Sequence, residues 1–149
     1  NARKLAGLSG DALAKALAEY EVIQETLGRL ASYAQLHRAV DMADPAIAQF
    51  YQNIHEKVNA ISVQTLFFTL EINKISDAGL KKQLTSKKLQ QYAPWIRDVR
   101  ALKPYQLSDD IEKLLHEKYI SGKAAWNRLF DETITSMRFP VDKKTLSSA

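Results

Sequence analysis

Apolar residues recur three and four apart at Leu13, Ala16, Tyr20, Ile23, Leu27, Leu30 and Ala34, and the spacing continues to His37. That is the seam of an amphipathic helix, and it predicts one long helix from about Gly10 to Val40. At 1.5 Å per residue such a helix is roughly 45 Å long, well beyond the usual three turns. Asp41-Met42-Ala43-Asp44-Pro45 breaks it, with Asp44 suited to an N-cap and Pro45 to the first helical position. A second stripe follows at Ile47, Phe50, Ile54, Val58, Ile61, Thr65, Phe68, Ile72 and Ile75, predicting a helix from Pro45 to about Lys74. Two long helices joined by a short link pack antiparallel as a hairpin. The second helix is also apolar on its other side, at Val63, Leu66, Phe67 and Leu70. A helix apolar all round needs cover on both faces. The first helix supplies one cover, and shorter helices after Ser76 must supply the other.

Those shorter helices are legible from their punctuation. Ser76-Asp77 caps one that reaches about Leu84, weakened by Gly79, and Lys87 to about Gln91 forms another. Tyr92, Trp95, Ile96, Val99 and Leu102 share one helical face, which Pro104 ends. Ser108 opens the next helix, with Asp109 and Asp110 opposing its positive end. Gly122 stands where a helix C-terminus favours positive φ. A last stripe, Trp126, Leu129, Phe130, Thr133, Ile134 and Met137, predicts a further helix. Met137-Arg138-Phe139-Pro140-Val141 reads as a short extended segment, and Pro140 restricts any strand there to an edge. The expected fold is all-α: a long antiparallel hairpin packed with several shorter helices, then a short extended C-terminal tail. Residues 1–142 form a single helical domain in this reading, and 143–149 a frayed tail.

Composition narrows the classes. A 149-residue chain with 46% hydrophobic residues has core material for one domain. It has no Cys, which excludes disulfides and thiolate metal sites and fits a reducing, cytoplasmic setting. No apolar run approaches the roughly 20 residues of a spanning helix, so no membrane partner is expected. Asn1-Ala2-Arg3-Lys4 has neither Met nor an apolar h-region and reads as no signal peptide. Residues 1–75 carry 7 Lys and Arg against 8 Asp and Glu, whereas 76–149 carry 14 against 9. Lys81, Lys82, Lys87 and Lys88 lack interleaved aromatics, so they read as a solvated surface and no nucleic-acid partner is expected.

The candidate chemistry is sparse. His55-Glu56 and His116-Glu117 each begin like the zinc motif His-Glu-x-x-His, whose histidines lie one turn apart. The fourth position after His55 is Asn59 and after His116 is Ile120, so both pairs read as surface helix residues and no metal ligand is assigned. His37 reads as a ring stacked over the core edge near a helix terminus. Asp109 and Asp110 are explained by their first-turn position, the 5 Gly are scattered, and no Ser has a nucleophile-elbow context. No catalytic residue is assigned. Arg97, Asp98, Arg100 and Lys103 are expected opposite Trp95 and Val99, as a solvated face or as contacts to a partner or an acidic peptide end.

Two runs carry a resemblance: Arg97-Asp98-Val99-Arg100-Ala101-Leu102-Lys103-Pro104-Tyr105-Gln106-Leu107-Ser108 with Glu112 to Lys118, and Gly122-Lys123-Ala124-Ala125-Trp126-Asn127-Arg128-Leu129-Phe130-Asp131-Glu132. From about Tyr92 to Asp142 the chain resembles the N-terminal region of the oligoendopeptidase F family, zinc metallopeptidases related to thimet oligopeptidase. The resemblance implies a longer parent enzyme that hydrolyses oligopeptides in a deep cleft, with zinc and its glutamate base in a catalytic domain downstream. It implies no cofactor in this chain and a helical wall for that cleft. The expected partners are the missing catalytic domain, through Val63, Leu66, Phe67, Leu70, Arg97 and Arg100, and the parent's oligopeptide substrate. Self-association is expected of the isolated chain. The alternative from the residues alone is a free-standing helical adaptor or dimerisation module that binds a partner helix.

Overall fold

The structure, a computed structural model, describes residues 5–42, 44–142 and 144–147. The Asn1 to Lys4 reading and part of the tail reading lie outside the described residues. Helix α1 spans Gly10–Val40 and α2 spans Pro45–Lys74, as the apolar spacing predicts. Shorter helices follow: α3 (Asp77–Gln83), α4 (Lys87–Gln90), α5 (Ala93–Ala101), α6 (Asp109–Glu117) and α7 (Lys123–Ser136). Single 3-10 turns occupy Leu5–Gly7 and Lys103–Tyr105. The architecture is helix on helix, ending in a small two-stranded hairpin.

Side-chain caps fix the starts of the first three helices by accepting otherwise unpaired backbone N–H groups. Ser9 accepts from Ala12 at 3.2 Å. The Asp44 carboxylate accepts from Ala46 at 2.7 Å and Ile47 at 3.3 Å. Ser76 accepts from Gly79 at 3.1 Å. At α6 the device differs: Ser108 makes no side-chain cap bond, and Glu112 reaches back to accept from the Leu107 N–H at 2.9 Å.

The core lies at the open end of the hairpin, remote from the α1–α2 link. Leu13 and Leu17 of α1 meet Phe68, Ile72 and the following Ile75 of α2, with Leu89 of α4 and Ile96 of α5 closing the cluster. Tyr20 stacks on Phe68 with centroids 4.5 Å apart and leans on Trp95 at 5.8 Å, so three elements share one aromatic contact. Gln83 anchors the N-terminal turn, donating to the carbonyls of Leu5 and Leu8 at 3.1 and 2.9 Å. Gly10 has a packing reason to lack a side chain: a Cβ there would stand 2.2 Å from the Gln83 carbonyl oxygen.

The inward face of α1 is rotated from the expected stripe. Leu13, Leu17, Tyr20, Gln24, Leu27, Ala31, Ala34 and Arg38 are buried or half-buried in sequence, whereas Ile23 and Leu30 are largely exposed. Gln24 occupies a core register because its side-chain amide donates to Thr65 across the hairpin at 3.2 Å. That bond satisfies a polar group where an apolar one was expected.

Gly122 also departs from expectation. It sits at the N-cap of α7 with φ −100, not at a C-terminus with positive φ. Glycine is needed there because its N–H bonds the Lys118 carbonyl at 2.7 Å, and a Cβ would approach that oxygen to 2.9 Å. At the C-terminus the expected extended segment forms β1 (Arg138–Val141), and Lys144–Ser147 of the tail pairs with it as β2, with Phe139 opposite Leu146. Asp142 permits the reversal by adopting φ 54, a left-handed conformation that Asp tolerates better than most residues.

Candidate functional site

Arg100 is not a surface contact. Its side chain is only 12% exposed and closes the end of α2. Nη1 donates to the carbonyls of Ile72 (2.9 Å) and Ile75 (2.8 Å), and Nη2 to Asp77 at 2.5 Å. Cationic N–H groups there add to the sparse bonding of carbonyls at a helix end, where the Ile72 carbonyl also accepts from the Ile75 N–H at 3.3 Å. Arg97 stays exposed and pairs with Asp98 at 2.9 Å. The second face of α2 divides as well: Leu70 is buried, Val63 and Leu66 are half-buried, and Phe67 remains 46% exposed. Of the six expected contact residues, Leu70 and Arg100 therefore serve the chain's own fold.

A larger unpartnered apolar surface lies further along. No residue of α6 or α7 is buried. Trp126 is 71% exposed and Phe130 64% exposed, with Leu129 and Ile134 also exposed on α7, Met137 just beyond its end, and Leu114 and Leu115 on α6. A period of three to four is the pattern of a covered helix. Here it faces solvent. Polar bonds tie α6 and the turn before it to the end of α2: Lys74 donates to Asp109 at 2.5 Å, and Asn73 donates to Gln106 at 2.8 Å.

Near the α1–α2 link, a cavity of about 500 Å³ opens between the two long helices and α7. Arg38 enters it from α1, Tyr51 and His55 from α2, and Asp131 and Glu132 from α7. His55 is half-buried rather than on the surface, because its ring packs on Tyr51 one turn earlier with centroids 4.2 Å apart. Burial pushes its pKa below the ordinary 6.5. Tyr51 lies within electrostatic reach of Tyr119, Asp131 and Arg38, and burial raises its pKa. Among the described residues, Arg38 Nη1 and His55 Nε2 are buried polar atoms without a hydrogen-bond partner. Arg128 donates to Gln52 and so ties α7 to α2. The sequence signal for this cavity was Arg38 itself, a charge in the inward register of α1.

The residues do not fit a zinc site. Among the described residues no group of three or more His, Cys, Asp or Glu could hold a metal ion. Asn59 and Ile120 stand where a second zinc-binding histidine would be required after His55 and His116. Among the described residues no helix is long and apolar enough to cross a membrane.

Comparison with known proteins identifies relatives. Residues 71–139 match the N-terminal-domain family model described as Oligopeptidase F. The match begins at Glu71, in the last turn of α2, and extends through α7 into β1. The chain is also 30% identical over 114 residues to Oligopeptidase PepF of Bacillus subtilis (strain 168), an alignment covering 73% of this chain and 16% of that protein. No solved structure matches.

Proposed function

We propose, with residues 71–139 carrying the N-terminal region of the oligopeptidase F family, that this chain is the non-catalytic N-terminal helical part of a zinc metalloendopeptidase that hydrolyses oligopeptides. Its helices form one wall of the substrate cleft, and the zinc and its glutamate base belong to a catalytic domain outside this sequence. The observation that carries the reading is the coincidence of the family match with the exposed stripe on α6 and α7. Val22, Tyr33, Leu36 and Val40 of α1 are exposed as well, but the stripe on α6 and α7 falls inside the matched segment, in a chain spanning 16% of the length of its relative. The catalytic domain supplies that cover, with Phe67 and Arg97 as further contacts. The cytoplasmic location expected of a cysteine-free chain belongs to the same proposal.

The test compares this chain with the longer reading frame, using a quenched-fluorescent oligopeptide. The longer protein should contain His-Glu-x-x-His and cleave the peptide until a chelator is added, while the 149-residue chain should not cleave it. Chelator-sensitive hydrolysis by this chain alone, or a frame without the motif, overturns the reading. The adaptor reading, in which the long α1–α2 hairpin binds a partner helix on the apolar face around Phe67, predicts instead a stable homodimer or partner complex without any peptidase domain.

A further inference from the structure

We propose that the cavity near the α1–α2 link binds a small zwitterion, the chemistry shared by a free α-amino acid and a short unblocked peptide, with its carboxylate on Arg38 and His55 and its ammonium on Asp131 and Glu132. The inference goes beyond the peptidase reading and stands on the cavity alone.

Three observations converge. The volume, about 500 Å³, falls within the roughly 300–1,000 Å³ of small-molecule sites. Two buried donors point to an acceptor: Arg38 Nη1, and His55 Nε2 when that nitrogen carries the proton, both without partners among the described residues. Buried polar atoms are otherwise almost always paired, so two in one cavity are a signal for a ligand group that completes them. A carboxylate suits both, since it accepts in two directions and matches the fork of a guanidinium.

The other wall is acidic. Asp131 and Glu132 come from α7, and Glu56 adds a third carboxylate on α2. Arg128 is engaged by Gln52 and lies 3.8 Å from Glu132, and Glu56 accepts from the neutral Gln52 amide at 2.8 Å, so the wall keeps a net negative charge beside Asp131. A ligand that is only anionic would meet these carboxylates unfavourably. One bearing both charges is accommodated by both walls. The position of Arg38 adds weight, because a charge in a core register is the kind of local inconsistency that functional sites carry.

The experiment is calorimetric titration of the 149-residue chain with alanine, trialanine, N-acetyl-trialanine and trialanine amide. Saturable binding of alanine or trialanine with Kd of about 1 mM or tighter is expected. Alanine alone identifies an amino-acid site, and trialanine alone a peptide site. Both blocked peptides should bind at least about tenfold more weakly, as one 1.4 kcal/mol interaction implies. Arg38→Gln and Asp131→Asn should each weaken the ligand by a similar factor, with melting temperatures confirming that both variants fold. Asp131 is exposed, so its variant remains informative if Arg38→Gln unfolds. Absence of saturable binding, equal affinity for blocked peptides, or indifference to a folded Asp131→Asn variant overturns the proposal. None of these outcomes bears on whether the longer protein is a peptidase.

Discussion

Replacing Arg100 by Ala should destabilise the chain in isolation, with no partner domain present. The substitution removes two charge-assisted bonds, to the carbonyls of Ile72 and Ile75, and the ion pair with Asp77. Hydrogen bonds to charged groups contribute about 1.5–3 kcal/mol each. Two discounts apply. The Ile72 carbonyl keeps the Ile75 N–H as a partner at 3.3 Å, and Asp77 is 87% exposed, so the ion pair adds little. The Ile75 carbonyl loses its cationic partner at a residue whose side chain is in the core, which leaves a net cost of about 2–3 kcal/mol. Arg100→Lys should recover less than half, since a point charge cannot span two carbonyls and a carboxylate as the planar fork does. Urea denaturation followed by circular dichroism reads the change as a shifted midpoint at constant slope. A loss below about 0.5 kcal/mol for Arg100→Ala, the range of ordinary surface substitutions, would refute the assignment and return Arg100 to the interdomain surface.

Three further outcomes follow from the geometry. Gly10→Ala places a Cβ 2.2 Å from the Gln83 carbonyl oxygen and 2.6 Å from Ser86 Cβ, and the overpacking should cost about 1–3 kcal/mol in the same denaturation assay. The paired change Trp126→Gln and Phe130→Gln should leave stability within about 0.5 kcal/mol, because neither ring is buried, while sedimentation shows self-association reduced. The His55 imidazole, with its folded pKa held below 6.5 by burial, binds protons less readily folded than unfolded. Its contribution is therefore present above the unfolded value, near pH 6.5, and lost as pH falls through it toward the folded pKa. Between about pH 7.5 and 5.5 the wild type should lose more stability than His55→Gln, and parallel pH profiles would contradict the burial assignment.

The hairpin was legible because α1 and α2 are long enough for spacing, caps and Pro45 to agree, so both boundaries follow from local chemistry. The rotation of the α1 face was not legible. Reading only apolar positions passes over Gln24, whose suitability depends on Thr65, a residue of the other helix. Arg100 was misplaced for the same reason: its partners are carbonyls of α2, and a helical wheel of its own segment cannot show them. His55 shows a different gap. The Asn59 mismatch argues against zinc chemistry but says nothing of burial, which comes from Tyr51, one turn away, offering a ring to pack on. The stripe of α7 was visible as a pattern, whereas its exposure depends on what lies beside it in space.

In the proposed parent enzyme the rest of the peptidase covers the apolar surface of α6 and α7. Hydrogen exchange measured on the 149-residue chain and on the longer protein, under identical conditions, tests it most directly. Amides of Asp109–Glu117 and Lys123–Ser136 should exchange readily in the chain alone and become strongly protected in the longer protein, while the core of α1 and α2 changes little. Equal protection of α6 and α7 in the two would contradict the account.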